Sequence, residues 1–253
     1  MPRRDPARLH LFIMLGLTFT TGIIDAVGYL GLDKVFTANM TGNVVILGMG
    51  LAGADGLPIV GPALALGGFL LGAAIGGRAL STSRTGWGRA TTAALVVSAT
   101  VTLALGVISI VVPPTHGTPW GFVLTTVLAT TMGLQAATAR RLAVADVTTV
   151  VVTSTITGLA ADSRLAGGPG TRWPRRVLAV VLILAGAAVG ALLLRGSVAL
   201  GLTVAGAIAL ALALFGHALR ETRVSPDDDD PDTGTPDHGT PGPGAPDTPA
   251  RAA

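Results

Sequence analysis

The sequence VFTANMTGN, residues 35–43, places two asparagines and two threonines inside a chain that is otherwise strongly apolar. A second polar stretch, VVTSTITG at residues 151–158, echoes it in the other half of the chain. Amide and hydroxyl groups cost free energy in lipid, so such stretches persist in a membrane where protein buries them or where they line a cavity. We therefore predict that these two interruptions form the working part of the protein.

The rest of the sequence is typical of an integral membrane protein. Half of the 253 residues are hydrophobic and only 12% are charged, whereas about 25% are charged in a typical soluble domain. Six apolar runs are each long enough to cross about 30 Å of hydrocarbon. They cover residues 9–30, 58–80, 91–112, 120–139, 177–194 and 198–219. The sequence thus predicts an all-α protein in the lipid bilayer, with about six transmembrane helices.

Three short matches recur in the same order and indicate an internal duplication. Residues 21–26 resemble residues 132–136 at a spacing of 111, and residues 72–76 correspond to residues 186–190 at a spacing of 114. Between them, two threonines and a glycine of the first polar stretch recur in the second at a spacing of 116. We expect four parts in the chain. They are a cytoplasmic N-terminus (1–8), two membrane repeats (9–112 and 113–223), and a disordered, acidic, Pro- and Gly-rich cytoplasmic tail (224–253).

The arginines predict how the two halves are oriented. If neither polar stretch crosses the membrane, every basic residue except Lys34 and Arg195 faces the cytoplasm. If both stretches cross, the loop 78–89 and the pair 140–141 move outside, against the positive-inside rule. Three crossings per half is an odd number, so the halves must be inverted. The predicted fold is a 3+3 inverted repeat in which each half has one re-entrant or broken polar segment.

Inverted repeats with broken helices are a recurrent architecture of secondary transporters, because the breaks expose backbone groups that bind solutes or ions. The amides and hydroxyls of the two polar stretches are the predicted substrate-binding groups, together with a glutamine near the repeat axis. These residues are Asn39, Thr41, Asn43, Thr153, Thr157 and Gln135. The alternative is that the same groups hydrogen-bond one another and lock the halves together. The residues leave both interpretations open.

Asp25 lies inside the first apolar run, about 6 Å beyond its centre toward the outer face. A carboxylate there needs a partner, a proton or water, which makes it a candidate for ion coupling. It could equally be hydrated or cap the nearby break. Gln135 occupies nearly the equivalent place in the second half. We expect Asp146 and Asp162, which flank the second polar stretch, to be helix caps or partners of arginines.

The inventory of reactive side chains argues against an enzyme. The chain has no cysteine, which excludes disulfides, thiol catalysis and thiolate metal sites. Its histidines lie at the ends of the apolar runs or outside them, so no catalytic pair or metal cluster is apparent in the membrane. They are His10, His116, His217 and His238. We predict no catalytic residue, no metal and no cofactor.

The partners follow from the same pattern. The basic residues lie in short loops between apolar runs, which is a topology signal and predicts no nucleic-acid binding. Small residues four apart form faces that let helices approach closely. They are Gly68, Gly72, Gly76, Gly186 and Gly190. These faces suit packing within the monomer or between the protomers of a homo-oligomer.

Several motifs of the chain resemble the YoaK family of bacterial membrane proteins. They are G-x-x-DA at residues 22–26, ANMTGN at 38–43, GLQ at 133–135, RRL at 140–142, DVTT at 146–149 and TGLAAD at 157–162. The resemblance covers residues 9–219. In the family an asparagine often follows the glutamine, where this chain has Ala136. The resemblance implies a bacterial cytoplasmic-membrane protein of about six helices and supplies no substrate.

The sequence as a whole predicts a small-solute or ion transporter of the cytoplasmic membrane, with both termini in the cytoplasm. A passive channel is the first alternative. A membrane scaffold that translocates nothing is the second.

Overall fold

A computed structural model describes residues 6–81, 87–142, 152–163, 166–168 and 173–221. Within these residues the chain forms eight α-helices and no β-strand. The helices are α1 (Pro6–Gly31), α2 (Met40–Leu51), α3 (Val60–Ala79), α4 (Arg89–Val111), α5 (Pro119–Leu142), α6 (Val152–Ala161), α7 (Trp173–Leu194) and α8 (Val198–Glu221). The predicted tail, 224–253, and Asp146 lie outside the described residues.

Six of the helices are long and apolar enough to cross a membrane, namely α1, α3, α4, α5, α7 and α8. The prediction of an all-α protein with about six spans is therefore confirmed. The two polar stretches contribute the short helices α2 and α6, with 12 and 10 residues. At a rise of 1.5 Å per residue these reach only about 18 Å and 15 Å. As described, both helices are therefore shorter than a spanning helix, which needs about 20 residues.

The long helices pack most extensively as three pairs, α1 with α7, α3 with α5, and α4 with α8. Glycines bring the first two pairs into backbone contact. A Cβ atom added at Gly22, Gly186, Gly72 or Gly133 would lie well within 3.0 Å of a carbonyl oxygen on the facing helix, a separation that real Cβ atoms essentially never show. The predicted small-residue faces are thus used inside the monomer, where they allow the close helix approach typical of membrane bundles.

Four helices surround the centre of the molecule. Contacts join α1 to α8, α8 to α4, α4 to α5, and α5 to α1, so these helices close into a ring. The remaining long helices, α7 and α3, pack outside this ring against α1 and α5. The side chains that face the interior of the ring are therefore the candidates for a functional site.

Candidate functional site

A belt of buried polar side chains lies at the middle of the helix ring. Its members are Thr20 and Thr21 of α1, Ser98 and Thr102 of α4, and Thr131 and Gln135 of α5, and we refer to these six residues as the polar belt. None of them is more than 5% exposed. Each lies within a few residues of the centre of its span. The belt therefore occupies the depth at which the bilayer is most apolar.

Hydrogen bonds connect the belt across three helices. Ser98 Oγ donates to the Thr131 carbonyl oxygen at 2.9 Å, and the hydroxyls of Thr102 and Thr131 lie 3.5 Å apart. Gln135 Nε2 donates to Thr21 Oγ1 at 3.4 Å, which joins α5 to α1. Gln135 thus contacts α1 at Thr21, one helical turn before Asp25.

The threonine hydroxyls of the belt donate their protons within their own helices. Thr21 donates to the Leu17 carbonyl, Thr102 to the Ser98 carbonyl and Thr131 to the Leu128 carbonyl, at 2.7–2.9 Å. Their oxygen lone pairs then remain to face the neighbouring helices. The belt consequently presents hydrogen-bond acceptors, which suit a ligand that carries O–H or N–H groups.

Apolar packing closes the belt on both sides. Towards the start of α1 lies a buried cluster that includes Ile13, Met14, Leu17, Leu95, Ala99, Ala139 and Leu142. Towards the end of α1 lies a second one that includes Ile23, Ile24, Val27, Leu32, Ala38, Leu105, Leu124, Leu128 and Met132. In α1 the polar belt separates these two clusters along the chain, and in α4 and α5 it lies at the boundary between them, with Ala99 and Met132 interleaved among the belt residues. The belt is thus a buried polar layer with apolar packing toward both ends of the bundle.

Asp25 fastens the loop between α1 and α2. Its Oδ1 atom accepts hydrogen bonds from the backbone N–H groups of Thr37 and Ala38 at 2.9 and 2.8 Å, and from Thr37 Oγ1 at 3.3 Å. The contact corresponds to the capping alternative, in which the carboxylate satisfies backbone donors beside the break. The carboxylate lies one helical turn after Thr21, directly next to the belt.

The two asparagines of the first polar stretch have different environments. Asn43 is completely buried, and its amide pairs with both backbone groups of Phe36, accepting from the N–H at 2.9 Å and donating to the carbonyl. Asn39 is exposed and caps α2 through a 3.4 Å bond from the Gly42 N–H. Thr41 is also exposed. Of these predicted binding residues, Asn43 is therefore engaged in holding the loop.

Replacing Asn43 by alanine should destabilise the protein by about 2–3 kcal/mol, because both backbone groups of Phe36 lose their partner. Replacing Asn39 by alanine should cost about 1 kcal/mol or less, since its cap is exposed and long. Thermal unfolding of the two purified variants in detergent compares them directly. Equal losses of stability would contradict the anchoring role of Asn43.

The second polar stretch forms α6, which packs on α7. Thr153 and Thr157 are exposed on it. Arg176 of α7 holds its C-terminal end by donating to the Gly158 carbonyl and by an ion pair of 2.6 Å with Asp162. The prediction that Asp162 is the partner of an arginine is confirmed.

The predicted binding residues thus occupy three places in the structure. Gln135 lies in the polar belt, Asn39, Thr41 and Asn43 lie at the start of α2, and Thr153 and Thr157 lie on α6. The short helices have different main partners, α3 for α2 and α7 for α6. Sequence reasoning missed Ser98, Thr102 and Thr131 altogether. The signal that could have found them is the i, i+4 spacing of polar residues within apolar runs, at 98 and 102 and again at 131 and 135.

No group of three metal-ligating side chains occurs among the residues that the structure describes. The polar belt consists of hydroxyl and amide side chains and contains no charged side chain.

Comparison with known proteins bears on the class of the chain. A family described as "protein of unknown function (DUF1275)" matches residues 13–215. The UPF0700 transmembrane protein YoaK of Bacillus subtilis (strain 168) is 31% identical over 191 residues, which span 70% of this chain and 80% of that protein. No solved structure matches the chain. The six apolar spans and these two matches together show that this multi-pass membrane protein belongs to the DUF1275 family and is similar to YoaK.

Proposed function

We propose that the protein is a transporter of a small solute or an ion in the bacterial cytoplasmic membrane. The observation that carries the proposal is the polar belt, a set of buried hydroxyl and amide side chains at mid-membrane between two apolar layers. Polar groups at this depth are expensive and commonly mark solute pathways. A polar layer shielded by apolar packing on both sides is what alternating access requires of an occluded state.

The chemistry of the belt favours a neutral solute. None of its six side chains is charged, so within the belt a permeating ion would exchange its hydration shell for hydroxyl and amide dipoles. A solute with several O–H or N–H groups could instead donate to the threonine oxygens, whose own protons are used within the helices. A polyol or small amide has this character.

The proposal includes the 3+3 inverted repeat with cytoplasmic termini. It is supported by the agreement between helix contacts in the two halves. The Cβ position of Gly22 faces the Ile183 carbonyl and, at 2.9 Å, the Ala187 nitrogen. That of Gly133 faces the Phe69 carbonyl and, again at 2.9 Å, the Ala73 nitrogen. The spacings of 111 and 114 residues found in the sequence convert the first set of contacts into the second.

The α4 and α8 contacts agree with the same symmetry. Gly106 of α4 packs on Thr203 of α8, and Gly206 of α8 packs on Leu103 of α4. Exchanging the two helices at a spacing of 100 residues maps this contact onto itself. A two-fold axis through the α4–α8 crossing would have that effect, and it would also exchange α1 with α5, the two helices joined by Gln135 and Thr21.

A flux assay in proteoliposomes tests the proposed function. Uptake of neutral polyols, sugars and amides is followed by light scattering, and proton flux by an entrapped pH-sensitive dye. We expect saturable flux of at least one neutral solute that falls about tenfold or more in Gln135→Leu, which keeps the size of the side chain but removes its amide. Thr157→Val on α6 is the matched comparison and should retain flux if the belt is the binding site.

The alternatives predict other results in the same assay. Flux that does not saturate would favour the passive channel. Loss of flux in Thr157→Val but not in Gln135→Leu would move the binding site to the short helices. Absence of flux for every solute tested, from protein that is folded and inserted, would favour the scaffold.

A further inference from the structure

We propose that residues 32–38, in the loop between α1 and α2, form a gate. The gate closes the polar belt from the side of the membrane on which this loop lies. The inference rests on the proposed function, because it assigns to this loop the opening and closing of the same pathway. We call residues 32–38 the α2 gate.

The α2 gate packs apolar side chains against α1, α3 and α5. Leu32 and Ala38 are buried in the same cluster as Leu124 and Leu128 of α5. Between them Val35 is completely buried. It packs with Ala65 of α3 and Ala129 of α5, and it contacts the Cβ position of Gly61 of α3. These side chains form part of the apolar layer that separates the belt from this surface.

Polar anchors hold the gate to three different parts of the molecule. On α1, Asp25 accepts the N–H groups of residues 37 and 38. In the loop before α5, the Gly117 N–H donates to Asp33 Oδ1 at 2.8 Å, and His116 Nδ1 lies 3.6 Å from the same oxygen. In the loop before α3, Lys34 Nζ donates to the Gly56 carbonyl at 3.0 Å. The gate therefore ties the α1–α7 pair to the α3–α5 pair.

The positions of these anchors indicate where the molecule can open. Within each helix pair the backbones touch through glycines, so separating the helices of a pair would break a long continuous contact. Between the pairs, α1 and α5 make a small contact, and the gate spans it with a few side-chain bonds. Lys34 has a φ of +51°, the one non-glycine residue of the described chain in the left-handed region. This unfavourable backbone conformation persists only while its anchors hold it.

A thiol placed in the belt reports on the gate. The natural chain has no cysteine, and Ser98→Cys is a near-isosteric probe at a fully buried position. A membrane-impermeant methanethiosulfonate is added to proteoliposomes that contain this variant. A separate variant, Ala54→Cys, carries its thiol in the exposed loop after α2 and identifies the side of the membrane on which the gate lies. The rate of labelling of Ser98→Cys from that side is the measured quantity.

We expect Asp33→Ala to raise this labelling rate about tenfold, the factor that corresponds to losing a hydrogen bond to a charged group. Val35→Ala, which reduces the apolar packing of the gate against α3 and α5, should also raise the labelling rate. Asp55→Ala is the matched control, because it removes the same charge from the exposed loop between α2 and α3 without touching the gate. Each variant is first checked for a single symmetric peak in size-exclusion chromatography.

The gate proposal is overturned if Ser98→Cys is labelled no faster in Asp33→Ala and Val35→Ala than in Asp55→Ala. If solute flux is present in that case, the proposed transport function stands without it. If labelling does accelerate but no solute is transported, the gate is supported and the proposed function fails. The two ideas are thus judged by separate measurements.

Discussion

Replacing Gly72 by alanine is expected to destabilise the protein by about 3 kcal/mol or more, because the new methyl group would overlap the backbone of α5. A Cβ atom at residue 72 would overlap the Thr130 carbonyl oxygen. Backbone atoms of a packed helix cannot move away as the end of a flexible side chain can. The helices α3 and α5 would have to separate along their whole contact. Thermal unfolding in detergent, with the yield of monodisperse protein, measures the effect.

Two glycines of the same helix provide the control. Gly67 and Gly77 of α3 have nothing within 4 Å of their Cβ positions, so alanine there should be neutral or slightly stabilising, since it favours the helix by about 1 kcal/mol. Gly186→Ala, the equivalent change in the α1–α7 pair, should be as damaging as Gly72→Ala. Similar stabilities for Gly72→Ala and Gly67→Ala would show that the α3–α5 contact is not as close as described.

Replacing Asp25 by alanine is expected to cost about 2–5 kcal/mol. The change leaves the buried N–H groups of Thr37 and Ala38 without an acceptor, and each unsatisfied group of this kind costs about 1–3 kcal/mol. The loop before α2 should then detach from α1. Protease sensitivity of this loop, together with the unfolding temperature, reports the loss.

Asp25→Asn separates the two roles predicted for this residue. The asparagine retains an oxygen that can accept the same backbone N–H groups, so a purely anchoring role predicts near-normal stability and flux. If the carboxylate instead carries a proton or cation, the variant should remain folded while flux no longer follows the ion gradient. Flux that stays coupled in Asp25→Asn would eliminate ion coupling at this position.

The number of spans and the two short elements could be predicted from the sequence because each depends on local properties. An apolar run of about 20 residues has few alternatives to a spanning helix. The amides near Asn39 and Gly42 then mark the place where such a helix cannot continue. Asp162 could be assigned an arginine partner for the same reason, since an acidic residue at a membrane boundary among arginines pairs readily.

The polar belt could not be predicted in this way, because a threonine or serine in an apolar run does not reveal which way its side chain points. A hydroxyl can donate to a carbonyl of its own helix, as Thr102 does to Ser98, so it is tolerated in an apolar run whichever way it faces. Whether Thr131 meets Ser98 depends on how α4 and α5 pack, which is a property of the whole bundle. The predicted site residues were chosen where several polar residues are adjacent in the sequence. The belt residues are far apart in the sequence and come together only in the folded bundle.

The pairing of α1 with α7 also governs how the protein can be made. Gly186 follows Gly22 by 164 residues, so at about 5–20 residues per second the first helix waits on the order of ten seconds before its partner leaves the ribosome. During that time its glycine face has only lipid to contact. Each long helix of the first half has its most extensive contact with a helix of the second half. A truncated product that ends before α5 would therefore lack the main partner of every long helix it contains.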